Sequence, residues 1–276
     1  PHIKTSYPTQ TSKRSYPILS DWRMIKNDTE VDLIQKACDI TEKGFRRVLN
    51  YIKPNIWEYD IEAEFIHEFI KNKSKGFAYQ PIIASGINAC SLHYNTNNSI
   101  CKSGDLILMD VAAEYSNYKS DMTRTIPVDG KFTKRQLEIY NAVLNVKNKA
   151  TNILRPGITI NEYHKEVGKI MESELIEIKL LDKHDVKKQN PKNPLFKKYF
   201  MHGTSHHLGL DVHDVGNFYV DLSPGNVFTV EPGIYIREEN LGVRLEDNIL
   251  VGEDKNYNLM KNIPILPEEI EDIMNN

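Results

Sequence analysis

Ser103-Gly104-Asp105-Leu106-Ile107-Leu108-Met109-Asp110 and Pro224-Gly225-Asn226-Val227-Phe228-Thr229-Val230-Glu231 are two copies of one pattern. Each has a turn glycine, a polar residue and a β-rich run, and ends on a carboxylate six residues after the glycine. The text ahead of them also repeats. Val31, Ile34, Cys38, Phe45, Val48, Leu49 and Ile52 recur at helical spacing from an N-cap-like cluster at Asp28-Thr29-Glu30 up to Lys53-Pro54-Asn55. A second helix follows, with Ile61, Phe65 and Phe69 on one face. In the other half a helix near 133–154 ends at Arg155-Pro156-Gly157, and the next shows Tyr163, Val167, Ile170 and Met171 on one side. Helix, helix, strands, twice over, predicts a pseudo-symmetric α+β domain rather than a solenoid.

A charge at the end of an apolar strand is costly to bury unless something compensates it. One such residue could be a salt bridge; two in matching places ask for a shared partner. After Asp110 the chain is expected to turn near Tyr115-Ser116, which would set Asp121 opposite Asp110 in a hairpin. A turn near Glu238-Glu239 would set Glu246 opposite Glu231. If the halves pack face to face, four carboxylates converge, and two divalent cations would neutralise them. Ligation by oxygen and nitrogen without sulfur suits manganese, cobalt, iron or zinc in an open hydrolytic site. An imidazole is at hand in Met201-His202-Gly203-Thr204-Ser205-His206-His207-Leu208-Gly209-Leu210-Asp211-Val212-His213-Asp214, which holds four of the nine histidines.

The bulk numbers exclude several classes. In 276 residues the apolar fraction is 40%, the charged fraction 26% and the net charge −3, so nothing calls for nucleic acid or a membrane surface as partner. Cys38, Cys90 and Cys101 are an odd set without CxxC spacing, which argues against a disulfide framework or thiolate zinc and for a cytoplasmic location. Residue 1 is Pro, and residues 1–20 are rich in Ser, Thr, Pro and Tyr. We read 1–21 as a linker or surface strap and 22–276 as the functional domain. The lysine-rich stretch 183–198 reads as a solvated helix and loop.

The combination of MHGTSHHLGLDVHD (201–214), VEPGIYI (230–236) and VRLEDNILV (243–251) resembles the catalytic domain of aminopeptidase P, a metallopeptidase of the pita-bread group that includes prolidase, methionine aminopeptidase and creatinase. The similarity runs from about residue 22 to about 265. It implies a curved, mainly antiparallel sheet with helices packed on it. It further implies two metal ions, manganese before cobalt, zinc or iron, held by Asp110, Asp121, His206, Glu231 and Glu246. Asp121 and Glu246 would bridge the pair. His93, His213 and Glu231 would be catalytic, with His202, Tyr235 and Arg244 lining or backing the substrate pocket. The implied reaction is hydrolysis, by a hydroxide shared between the metals, of the bond between an N-terminal residue and a following proline. Prolidase, restricted to dipeptides, is the close alternative; a non-catalytic pita-bread binding module is the alternative of another class. A serine hydrolase is rejected, because Gly203-Thr204-Ser205-His206-His207 lacks the closing glycine of a nucleophile elbow. Relatives of this type carry a preceding domain that nothing in these residues supplies, and homo-oligomerisation is left open.

Overall fold

Two helices precede the first expected one in the computed structural model, which describes residues 2–11 and 13–276. They are α1 (His2–Ser6) and α2 (Tyr16–Met24). Pro17 sits in the first turn of α2, where a missing N–H costs nothing. Ile18, Leu19 and Trp22 of α2 face solvent, so the segment lacks the buried stripe by which a helix is read from sequence. Pro1 and Ser12, part of the expected strap, lie outside the described residues.

The first half then runs α3 (Asp28–Leu49), α4 (Glu58–Lys71), β1 (Ile82–Ser85), β2 (Leu106–Asp110), β3 (Glu114–Tyr115), β4 (Tyr118–Lys119) and β5 (Thr123–Pro127). The second half runs α5 (Lys134–Ile153), α6 (Ile160–Glu177), α7 (Lys183–Lys188), β6 (Val227–Val230), β7 (Gly233–Ile236), β8 (Leu241–Arg244), β9 (Asp247–Leu250) and β10 (Tyr257–Asn258), closed by α8 (Pro267–Asn275). Capping boxes open α3 (Asn27 with Glu30), α5 (Thr133 with Gln136) and α6 (Thr159 with Glu162), each satisfying amide groups that the helix start leaves unpaired. The buried faces of α3 and α4 pack together, as do those of α5 and α6. One continuous apolar core joins both helix pairs to the strands. No described helix is long and apolar enough to cross a membrane.

The duplication extends to single hydrogen bonds. Asn55 and Gly157, matched in the two halves, have φ of 72° and 79°, and their amides donate to the carbonyls of Cys101 and Leu222 at 2.8 and 3.1 Å. Bridges Trp57–Ile100 and Thr159–Asp221 follow at the next corresponding places. Gly104 and Gly225 have φ of 85° and 88°, which a side chain would strain, so glycine opens both strand copies.

Every strand pair is antiparallel, in the sheets β1-β2-β5 and β10-β9-β6 and the ribbons β3-β4 and β7-β8. In the second half the expected register is observed. Val230 pairs with Asp247 and Gly233 with Arg244, which leaves Glu231 opposite Glu246, around a turn at Arg237–Glu239. In the first half it is not. Asp110 pairs with Thr123, and Asp121 lies two residues further along, facing Ala112. The turn residues are Ser116 and Asn117, both with positive φ, one place later than expected. Moving a hairpin turn by one residue slides the pairing by two. The period of two keeps Asp121 on the same face as Asp110, so the convergence survives the error.

Gly242 in β8 shows how tightly the layers meet: a Cβ there would lie 2.5 Å from the carbonyl oxygen of Ala89. Backbone cannot step aside cheaply. Gly242→Ala is expected to cost about 1–3 kcal/mol in urea unfolding; a loss below about 0.5 kcal/mol would show that this contact relaxes freely.

Candidate metal centre

Where the two halves meet, Glu246 donates its amide to the carbonyl of Thr123 at 3.0 Å, and Asn248 bonds the backbone of Asp121 through both side-chain atoms. These contacts bring the carboxylate-bearing ends of both hairpins to one cleft of about 1040 Å³. Asp110, Asp121, His206, Glu231 and Glu246 all line it. Ligand atoms of Asp121, His206 and Glu246 lie within 4.8 Å of one another. His206 Nε2 is 3.4 Å from Asp121 Oδ2 and 3.6 Å from Glu231 Oε1. Asp110 is held differently: it accepts from Tyr79 at 2.6 Å and pairs with Arg244 at 2.6 Å.

The electrostatics are those of a site short of positive charge. Burial, and then the charges of Asp121, Glu231 and Asp110, push Glu246 well above the usual carboxylate range. Burial raises Glu231 to about 7 despite His206 and Arg244, and raises Asp110 against the pull of Arg244. Burial alone would lower His206, but its hydrogen bond to Asp121 and the charges of Asp121 and Glu231 raise it to about 9. The donor set fits a divalent ion. Nδ1 of His206 donates to the carbonyl of His207 at 2.9 Å, which turns Nε2 toward the acids; a metal ion would displace the Nε2 proton that Asp121 and Glu231 now hold there and take its lone pair. The Nδ1 bond is the usual outer support of a metal-binding imidazole.

The other expected residues fall into two groups. His93, His202, His213 and Arg244 line the cleft, and the His213 ring stands edge-on to His206 at 4.4 Å between centroids. Tyr235 lies behind the lining, 2% exposed. Arg244 donates to its hydroxyl at 2.9 Å, and the hydroxyl meets His202 Nε2 at 2.8 Å. Burial and Arg244 lower His202 to about 3. It is therefore neutral, with Nδ1–H donating to Gly203 O at 2.7 Å and Nε2 accepting from Tyr235. The Arg244 side chain, two residues before Glu246 in the chain, bonds Asp110, Tyr235 and Thr123. Arg124, three residues from Asp121 in the chain, is fully buried and pairs with Asp247.

Sequence reasoning missed four supporting residues. Tyr79 braces Asp110, Thr123 donates to Glu246 at 2.6 Å, Asn248 frames Asp121, and His164 lines the cleft with Nε2 at 3.2 Å from Ser205 O. Asn248 lies inside the VRLEDNILV motif and Thr123 two places from Asp121, but nothing local marks either as a brace; Tyr79 and His164 had no positional hint. A further tie comes from outside the sheets. Asp214, next to His213, is buried against Lys26 at 3.2 Å and also bonds Arg23, so the last turn of α2 and the residues just after it hold the His213 loop.

Acids from two matching hairpins, gathered around one imidazole in an open cleft, make a donor set suited to divalent metal. Residues 32–253 match the model of metallopeptidase family M24. The Xaa-Pro aminopeptidases of Escherichia coli (strain K12) and Haemophilus influenzae are each 40% identical, over 94% of this chain and 61% and 63% of theirs. A zinc-substituted E. coli aminopeptidase P in complex with product superposes with a TM-score of 0.89 at 38% identity, covering 99% of this chain and 65% of that one. The chain belongs to metallopeptidase family M24 and has its pita-bread fold, and that family membership implies divalent metal ions. It spans about six-tenths of the length of these relatives.

Proposed function

We propose that the chain holds two divalent ions, manganese by preference, on Asp110, Asp121, His206, Glu231 and Glu246, and removes the N-terminal residue from peptides whose second residue is proline. The observation that carries this is the approach of Asp121, His206 and Glu246 to within 4.8 Å in a cleft that leaves their charge uncompensated. Bound ions would supply a water of lowered pKa and a Lewis acid for the peptide carbonyl. The protein's own groups do the rest. Glu231, which titrates near neutrality before metal binds, can take the proton of the attacking water and pass it to the leaving nitrogen. His93 and His213, both on the cleft lining, would hold the carbonyl oxygen and the proline side of the bond. Neutral His202, with both ring nitrogens bonded to Gly203 and Tyr235, would meet substrate with the face of its ring rather than with charge.

Similarity to Xaa-Pro aminopeptidases and to aminopeptidase P supports the proline requirement. The three cysteines are all free and buried, in keeping with a cytoplasmic setting. Manganese-loaded protein should release the first residue from Xaa-Pro-Xaa tripeptides and spare Xaa-Ala-Xaa. Cleavage of Xaa-Pro dipeptides alone would replace this reading by prolidase activity. Metal content by mass spectrometry should approach two ions per chain, and one or none would refute the dinuclear assignment.

A further inference from the structure

We propose that Glu58 is a positioning residue for the reaction, holding His93 in place through Tyr94. The inference rests on the assignment of His93 to the scissile bond. Glu58 is the first residue of α4 and is fully buried. Its Oε1 accepts from the Ser85 amide at 2.7 Å, the Ser85 hydroxyl at 2.8 Å and Asn88 Nδ2 at 3.1 Å. Its Oε2 accepts from the Tyr94 hydroxyl at 2.7 Å and the Ser99 amide at 2.9 Å. All five donors are neutral, and all belong to the segment that leaves β1 at Ser85 and returns at Ser99. His93 sits at the middle of that segment, beside Tyr94, on the cleft lining.

The repeat shows what this carboxylate is not for. The helix corresponding to α4 is α6, which follows the matching bridge Thr159–Asp221 and begins at Ile160, also buried. An apolar residue therefore suffices at this place to start the helix and seal the core. The first half instead buries a carboxylate, an expensive choice unless every lone pair is used. Cys90 and Asn97 are buried on either side, but the stretch 91–96 between them has few other anchors, since Ser91, His93, Asn95 and Thr96 are exposed. A side chain acting on a peptide bond must be placed to within a fraction of an ångström, and a displacement of 1 Å can cost about 100-fold in rate. Ties to both stems and to the residue next to His93, all made by one rigid group on a helix, supply that placement.

Tyr94→Phe removes one of the five bonds and should leave the fold intact. With an Xaa-Pro-Xaa tripeptide, kcat is expected to fall about 10-fold, with KM within about twofold and an unchanged melting temperature. In a His93→Ala background the same substitution should cost nothing further, because the two changes act on one group. Glu58→Gln turns an amide N–H toward donors and should act in the same direction more strongly. Hydrogen exchange of residues 86–98 should quicken in both variants. The proposal is overturned if Tyr94→Phe costs the same factor with and without His93, or if exchange of this segment is unchanged. If His93→Ala itself leaves kcat intact, the assignment of His93 fails first. That result is separate, because the exchange experiment does not depend on activity.

Discussion

Glu246→Gln is expected to lower kcat/KM on an Xaa-Pro tripeptide by at least about 10³-fold and, at the same time, to raise the melting temperature of the metal-free protein by several degrees. The opposite signs have one cause. Glu246 is 1% exposed and meets the charges of Asp121, Glu231 and Asp110. Without cations this repulsion opposes folding, and an amide of the same shape relieves it. With cations the same carboxylate would be a ligand, and removing it takes away the charge that holds them. One kcal/mol corresponds to about 2–4 °C in a chain of this size. A differential scan of apo protein and an assay of metal-loaded protein check both halves. A loss of stability in the metal-free variant would show that Glu246 is structural.

The same site gives the apo protein a pH dependence. Glu231 titrates near 7 when folded, above its range of about 4.3 when unfolded. A raised carboxylate pKa contributes stability that is full below about pH 4.3 and is lost as pH rises through about 7, on the order of a few kcal/mol. Buried neutral histidines such as His202 gain stability over the same interval, so the contribution is read against Glu231→Gln: from pH 5 to pH 8 the metal-free wild type should lose stability relative to that variant, and added manganese should restore it. A difference that stays constant with pH would contradict the arrangement.

Asp247→Asn should be the most damaging conservative change to stability, costing about 3–5 kcal/mol. Asp247 lies beside Glu246 in sequence but points the other way, into the core. It takes Arg124 Nη2 at 2.7 Å, a close contact from Lys147 Nζ, and Asn258 Nδ2 at 2.8 Å. Arg124 also donates to the carbonyls of Glu246, Thr123 and Pro264 at 2.6, 3.0 and 2.9 Å, so the cluster braces the strands that carry the site. Burial alone would raise Asp247, but Lys147 and Arg124 hold it well below the usual carboxylate range. A depressed pKa means stability present above about pH 3.9 and lost only as pH falls through the lower folded value. Removing the charge strands two buried cations. Adding Lys147→Met to Asp247→Asn should recover part of the loss, as urea unfolding of both variants would show. Equal stability of wild type and Asp247→Asn would refute the account.

What the sequence alone could decide was periodic or local. Helical spacing located α3 to α6, and glycine followed by a β run and a carboxylate located β2 and β6. The matched copies disclosed the duplication, and the wording of three motifs disclosed the family. Each of these signals sits within a few residues of chain, where backbone sterics and side-chain alternation act directly. The pairing of Glu231 with Glu246 could be counted because a single turn sets it. The pairing of Asp110 failed because Ser116 and Asn117 both accept left-handed backbone, which moved the turn by one residue. Only the tertiary structure could decide which cation meets which acid. Arg124 and Arg244 are neighbours of Thr123 and Leu245 in the chain, yet one turns to Asp247 and the other to Asp110. Only it could show Tyr79 and His164 at the cleft, Asn248 against the Asp121 backbone, or Glu58 beneath the His93 segment. Those contacts join residues tens of positions apart. A charged group's partner is fixed by which surfaces the core brings together, and no local spacing records that.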